Sequence, residues 1–206
     1  SLTVGIYEKY ILPKFLNFAM KAPAMAKLRS RLVPLAEGKV LEIGIGSGLN
    51  LPFYSARVQV TGVDPSAELQ VYARDIARER GMNVEFLTRS GEAIPADENS
   101  FDSVVMTWTL CTIPVPVKAL AEIRRVLKPQ GKVIFAEHGE APDLEVVKWQ
   151  NRINPVWNII GGGCNLNRQI ERLYTGAGFA FADIEKGYVP GPRWATYNYR
   201  GIAKIA

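Results

Sequence analysis

Histidine occurs once in these 206 residues and cysteine twice. Cys111 and Cys164 lie far apart in the chain, with no Cys-x-x-Cys and no Cys/His cluster along the sequence. Neither a disulfide framework nor a zinc site is therefore expected, no metal is assigned, and the thiol content fits a reducing cytoplasm. No apolar run reaches the roughly 18 residues that a bilayer span needs. The first residues also lack the compact apolar core and small-residue cleavage site of a secretory signal. Charge is mild, with 25 Lys and Arg against 20 Asp and Glu for a net +5. No long run of one sign marks a nucleic-acid arm, so no nucleic acid is expected as a partner. At 48% hydrophobic residues the chain carries enough apolar side chains for one buried core.

What is present is alternation. Short β-rich runs at Val40 to Gly44, Val58 to Val63, Val84 to Leu87, Phe101 to Met106 and Lys132 to Glu137 are separated by helical patterns. Leu69, Tyr72, Ala73 and Ile76 follow Pro65-Ser66 at helical spacing. Leu120, Ile123, Val126 and Leu127 do the same before the stop Lys128-Pro129-Gln130-Gly131. Strands alternating with helices predict a parallel sheet covered on both faces. Leu166 to Thr175 reads as a further helix, and Phe179 to Lys186 and Trp194 to Ile205 as two strands joined across Pro190-Gly191-Pro192, an antiparallel hairpin. The expected fold is α/β: Rossmann-like and doubly wound, a mostly parallel seven-stranded sheet with an antiparallel C-terminal hairpin strand and N-terminal helices.

Residues 1–38 differ in character, mixing Ile6, Tyr7, Ile11, Leu12, Phe15, Leu16 and Phe18 with Lys9, Lys14 and Lys21. This predicts a basic amphipathic helix. It is either a lid over the site, a peripheral contact with an anionic membrane surface, or an ordinary helix packed on the domain of residues 39–206.

The segment Val40-Leu41-Glu42-Ile43-Gly44-Ile45-Gly46-Ser47-Gly48 runs from a buried-strand pattern straight into a glycine turn. Such a turn lets backbone approach a ligand closely. Its Gly-x-Gly-x-Gly spacing differs from the Gly-x-Gly-x-x-Gly of dinucleotide sites, and Glu42 stands just before it. A pyrophosphate is repelled by that carboxylate, whereas a sulfonium cofactor with a cationic amino group is attracted. At the end of the second strand, Asp64 is suited to accept from two ribose hydroxyls. Arg89-Ser90-Gly91-Glu92-Ala93, after the third strand, is placed for an adenine ring. The plainer alternatives are a capping carboxylate for Glu42 and a helix-start acid for Asp64.

Together these residues resemble the class I S-adenosylmethionine-dependent methyltransferases. Glu42 to Gly48 looks like that family's first motif, Gly91 to Asp102 its approach to the fourth strand, and Arg124 to Gly131 its turn into the fifth. Ser90 departs from the pattern, standing where many members carry an Asp. The resemblance implies S-adenosyl-L-methionine as cofactor and S-adenosyl-L-homocysteine as product. The expected contacts are Glu42, Gly44, Gly46, Ser47, Gly48, Asn50, Asp64, Pro65, Ser66, Ser90, Gly91, Glu92 and Thr107.

In the second half, Thr109-Leu110-Cys111-Thr112, Glu137-His138, Trp149-Gln150, Pro155-Val156-Trp157 and Gly162 to Arg168 resemble the branch whose animal members are membrane-associated alkyl-thiol S-methyltransferases. The same look is similar to phospholipid (phosphatidylethanolamine) N-methyltransferases and to quinone-type C-methyltransferases. The resemblance therefore implies a small-molecule or lipid acceptor, with sulfur first among the candidate atoms. Methyl transfer asks mainly for positioning and exclusion of water. A thiol acceptor also gains from losing its proton, since its ordinary pKa of about 8.5 leaves little thiolate at neutral pH. His138, just past the fifth strand, is the candidate catalytic base, its alternative being an imidazole that orients a loop. Cys111 and Cys164 are read either as small hydrophobes or as lining of the acceptor pocket, and Trp157, Trp194, Tyr197 and Tyr199 as its apolar walls or as core.

Overall fold

The computed structural model describes residues 11, 14 and 20–206. Most of the expected N-terminal amphipathic helix, from Ile6 to Phe18, falls outside the described residues. Seven strands form one sheet: β1 (Lys39–Ile43), β2 (Gln59–Val63), β3 (Val84–Leu87), β4 (Phe101–Thr107), β5 (Leu127–His138), β6 (Phe179–Tyr188) and β7 (Tyr197–Ile205). Their order is β3-β2-β1-β4-β5-β7-β6. The first five are parallel, and β7 lies antiparallel between β5 and β6. The doubly wound sheet with its antiparallel hairpin is thus present.

Among the described residues from 23 on, the α-helices are α1 (Pro23–Leu32), α2 (Ala67–Glu79), α3 (Pro116–Val126), α4 (Leu144–Ile160), α5 (Ile170–Gly176) and the single turn α6 (Arg193–Thr196). Helix α2 starts where Ser66 Oγ accepts from Leu69 N–H, a side-chain N-cap that satisfies one of the free donors of the first turn. Helix α3 starts at Pro116, whose fixed φ suits a first helical position, and ends on Arg124 and Arg125, where positive charge meets the helix C-terminus. It buries Ala119, Leu120, Ile123 and Val126 at helical spacing against Val104, Met106 and Phe135 of the sheet. On the opposite face, Ala73 and Ala77 of α2 pack with Val40, Val60 and Val105. Alternate residues of the central strands thus feed two separate cores, as a sheet covered on both sides requires.

Four sequence expectations need correction. The stop Lys128-Pro129-Gln130-Gly131 lies inside β5: Leu127 pairs with Phe101, the four residues bulge out, and Lys132 rejoins opposite Ser103. Helix α5 begins at Ile170 rather than Leu166, because residues 166–169 are used to dock a loop. Strand β7 begins at Tyr197, with Trp194 in the helical turn before it. Helix α4 was not foreseen. Its outward face mixes exposed Leu144, Trp149, Val156, Ile159 and Ile160 with Glu145, Lys148, Asn151 and Arg152, and Pro155 lies inside it, so the apolar positions do not mark one helical face.

The hairpin depends on one glycine. Gly201 in β7 has φ +153°, and a Cβ there would stand 2.1 Å from the carbonyl oxygen of Asp183, where β6 bulges. Gly201→Ala is expected to lower stability by about 1–3 kcal/mol, the usual range for forced backbone strain, read as a fall in the urea midpoint.

Candidate active site

The sheet reverses its winding between β1 and β4, and their carboxyl ends diverge there, which is where open α/β sheets hold ligands. A cavity of about 640 Å³ opens at this point. One wall is polar and built on strand ends: Glu42, Gly44, Gly46, Ser47, Asn50, Asp64, Pro65, Ser90, Gly91 and Thr107 all line it. The other is mainly apolar, with Met20, Met25, Trp108, Trp157, Leu166 and Pro190 among its residues.

Glu42 ends β1 almost without solvent contact and accepts from Tyr54 Oη at 2.6 Å. Burial pushes its carboxyl up to about 8, against the pull of Tyr54, Asn50 and the Arg29 guanidinium. Arg29 comes from α1 and is itself buried, donating through Nε to Asn50 Oδ1 at 3.1 Å and through Nη1 to the Met20 carbonyl at 2.6 Å. Its guanidinium lies 4.9 Å from the Trp108 ring centroid, and Asn50 Nδ2 reaches Thr107 Oγ1 at 3.0 Å. A chain of contacts thus ties α1 to the ends of β1 and β4. Asp64 ends β2 and holds the glycine turn: Oδ2 accepts from Gly46 N–H at 2.9 Å and Oδ1 from Ser66 N–H at 2.7 Å. Its carboxyl is likewise pushed up by burial.

Three expected cofactor residues stand behind the cavity wall. Gly48 packs on Ala73 of α2, Ser66 caps α2, and Glu92 pairs with Ser90 through its own N–H and carboxylate. Of the expected aromatic walls only Trp157 faces the cavity. Trp194 packs edge-on against Trp157, and Tyr197 packs edge-on against both Tyr188 and Tyr199 along the hairpin. Arg29, Tyr54 and Trp108 escaped the sequence reading. A helix arginine and two aromatics carry no local mark of burial beside a carboxylate. Trp108 does show strain afterwards, with φ +46°.

The deepest corner is made by loops. Glu137 ends β5 fully buried, and its Oε2 accepts from Thr109 N–H at 3.0 Å and Leu110 N–H at 3.2 Å, holding the turn after β4. Arg168 Nη1 donates to the carbonyls of Leu110 and Ile113. Asn165 donates to the Cys111 carbonyl through its backbone N–H at 2.9 Å and its side chain at 3.1 Å. These clamps bring Cys164 Sγ to 3.3 Å from Cys111 Sγ and 3.2 Å from His138 Nε2. The separation of the cysteines in sequence is therefore no guide, and a Cys/His cluster exists in space. The hydrogen bond from Cys111 and the neighbouring imidazole pull the Cys164 thiol down, while the same bond and burial push Cys111 up. Both cysteines are free and buried, and all three side chains line the cavity.

A family profile described as "Methyltransferase domain" matches residues 41–135. Thiol S-methyltransferase TMT1A of Homo sapiens is 31% identical over 174 residues, covering 82% of this chain and 71% of that protein. The chain belongs to the class I S-adenosylmethionine-dependent methyltransferases, close to the thiol S-methyltransferase branch. Thiol S-methyltransferase TMT1B of Rattus norvegicus is 35% identical over 163 residues, covering 77% of this chain and 66% of that protein. The chain thus spans about two thirds of the length of these curated relatives. The crystal structure of YcgJ from Bacillus subtilis superposes with a TM-score of 0.66 at 26% identity, covering 82% of this chain and 75% of that one. S-adenosylmethionine is the cofactor of this family, and the cavity is compatible with it: its buried carboxyls suit a ligand with positive charge, and the glycine turn allows close approach of a nucleoside. Among the described residues no helix is long and apolar enough to cross a membrane.

Gly44 has φ +73°, and a Cβ there would lie 2.2 Å from Thr109 Oγ1, which is itself bonded to the Thr107 carbonyl. Gly44→Ala is expected to weaken S-adenosylhomocysteine binding by at least about tenfold, measured by calorimetry.

Proposed function

We propose that this methyltransferase acts on the sulfur of a small lipophilic thiol. The observation that carries the reading is the Cys111–His138–Cys164 corner, where the apolar wall of the cavity meets two thiols and an imidazole within hydrogen-bonding distance of one another. The identity to thiol S-methyltransferases supports it. S-adenosylmethionine supplies an electrophilic methyl group. Glu42, with Arg29 and Tyr54 fixing it, faces the positively charged amino acid end, Asp64 the ribose, and Ser90 and Gly91 the base. Helix α1 covers the cavity with Met25 and Ala24, excluding water from the acceptor. The acceptor thiol gives up its proton at the His138 corner. Its sulfur, as thiolate, is then held for in-line attack.

A second reading, methylation of a phospholipid amine, has one observation in its favour. The exposed apolar face of α4 lies on the same helix as Trp157, beside the cavity mouth, where a lipid surface would meet it. In that reading the N-terminal segment makes the peripheral membrane contact.

Methyl-labelled cofactor offered in parallel with a short alkyl thiol, phosphatidylethanolamine vesicles and a quinone-precursor phenol separates these acceptors. Label on the thiol is expected. Label confined to the lipid or the phenol overturns the sulfur reading. His138→Ala is expected to reduce thiol methylation by about a hundredfold or more, as for loss of a group that manages a proton, with S-adenosylhomocysteine affinity unchanged.

Cofactor binding should also report on Glu42. Below about pH 8 its carboxyl is mostly protonated in the empty site, whereas a bound cation favours the ionised form. Binding then releases a proton, and affinity is expected to rise between about pH 6 and pH 8, by at most about tenfold per unit. Calorimetry in buffers of different protonation enthalpy checks this, and Glu42→Gln is expected to flatten the slope.

A further inference from the structure

We propose that Cys111, His138 and Cys164 form a binding site for one thiophilic divalent cation of the zinc class, with its open fourth position turned into the cavity to hold the acceptor sulfur. The inference rests on the thiol reading for what occupies the fourth position, though not for the metal itself.

Three ligand atoms, two sulfurs and one imidazole nitrogen, lie within 4.8 Å of one another. An ion with Zn–S bonds of about 2.3 Å and Zn–N bonds of about 2.0 Å in a tetrahedron sets such atoms roughly 3.5–3.8 Å apart. The two measured separations, 3.3 Å between the sulfurs and 3.2 Å from Cys164 Sγ to Nε2, therefore need to open by only a few tenths of an ångström. The loops are built to bring the ligands together: Asn165 and Arg168 grip main-chain carbonyls around Cys111, and Gln150 binds the carbonyls of Gly139 and Leu166 on either side. His138 turns Nε2 toward Cys164 Sγ, which makes Nε2 the ring nitrogen placed to bind the ion. Two sulfurs and one nitrogen with a vacant position are the donor set of a catalytic rather than a structural zinc, whose four positions are all filled by protein.

The chemistry balances without an oxidant. Metal binding displaces the protons of Cys111 and Cys164 into solvent, and the two thiolates offset the charge of the ion. The acceptor thiol then binds at the fourth position and loses its own proton to water. Its sulfur forms the new bond to the donated methyl carbon as the sulfonium–methyl bond breaks. The neutral thioether is a poorer ligand than a thiolate and leaves, so turnover follows from the change in charge on sulfur. In this arrangement His138 serves as a ligand.

The test uses the full chain, stripped with chelator and kept reduced by a phosphine, then titrated with cobalt(II). Expected are one cobalt per chain, a thiolate-to-cobalt charge-transfer band, intense tetrahedral d–d absorption, and displacement by zinc. Adding a short alkyl thiol is expected to shift the d–d bands. Cys111→Ser and Cys164→Ser are each expected to weaken cobalt binding by at least about tenfold, with S-adenosylhomocysteine affinity as the check that the variant is folded. Cobalt binding without the charge-transfer band, or a band unchanged in both variants, overturns the site. Bands that ignore the alkyl thiol overturn the open position. Full thiol methylation by metal-free protein overturns the metal while leaving the sulfur reading standing. A thiol-sensitive cobalt spectrum with no thiol methylation does the reverse.

Discussion

Three strands of this sheet end on a carboxyl group withdrawn from water, and the arrangement of the whole carboxyl edge depends on them. Glu42 closes β1, Asp64 closes β2 and Glu137 closes β5. Each is pushed upward by burial. A buried acid is costly unless its oxygens are occupied. Here Asp64 takes the N–H groups of Gly46 and Ser66, Glu137 those of Thr109 and Leu110, and Glu42 the hydroxyl of Tyr54. Each acid therefore fixes the loop that follows a different strand, and those loops together enclose the cavity.

The two halves of the cavity are held in different ways. On the donor side the glycine turn after β1 is held by the end of the neighbouring strand β2, through the Val63 carbonyl and the Asp64 carboxylate. On the acceptor side the walls come from distant segments, α1, the loop before α5 and the turn before β7. The last two meet through Gln150, which reaches the carbonyls of Gly139, Leu166 and Trp194 and accepts from Ala141 N–H. Loss of Gln150 would leave several buried main-chain groups unpaired at once, which makes this amide a joint between α4, the end of β5 and the hairpin.

The donor half was legible in the sequence for that reason. Glu42, the glycine turn and Asp64 lie within one strand–turn–strand stretch, so their spacing alone places them at one ligand. The five parallel strands were legible too, since strands buried on both faces read as continuous apolar runs. Helix α4 was not, because large apolar residues stand on its exposed face among the charged ones, while a glutamine, Gln150, is among its buried residues. Nor was the Cys111–His138–Cys164 cluster, whose members come from two loops and the end of β5 and are brought together by hydrogen bonds to main-chain carbonyls. Arg29 was hidden for a related reason, since a helix arginine ordinarily faces solvent and only the fold puts it against Trp108 and Asn50.

The grip of Asn165 and Arg168 on carbonyl oxygens has a consequence for descent. A clamp that holds only backbone is indifferent to the side chains it encloses. In the clamped turn Thr112 bonds the Thr109 carbonyl and Ile113 packs in the core, which leaves Pro114 as a cavity-lining position that can be exchanged without loosening the clamp. A lineage built on this scaffold can change the shape of the molecule it admits through single substitutions, while the sheet, the cofactor half and the clamp are inherited intact.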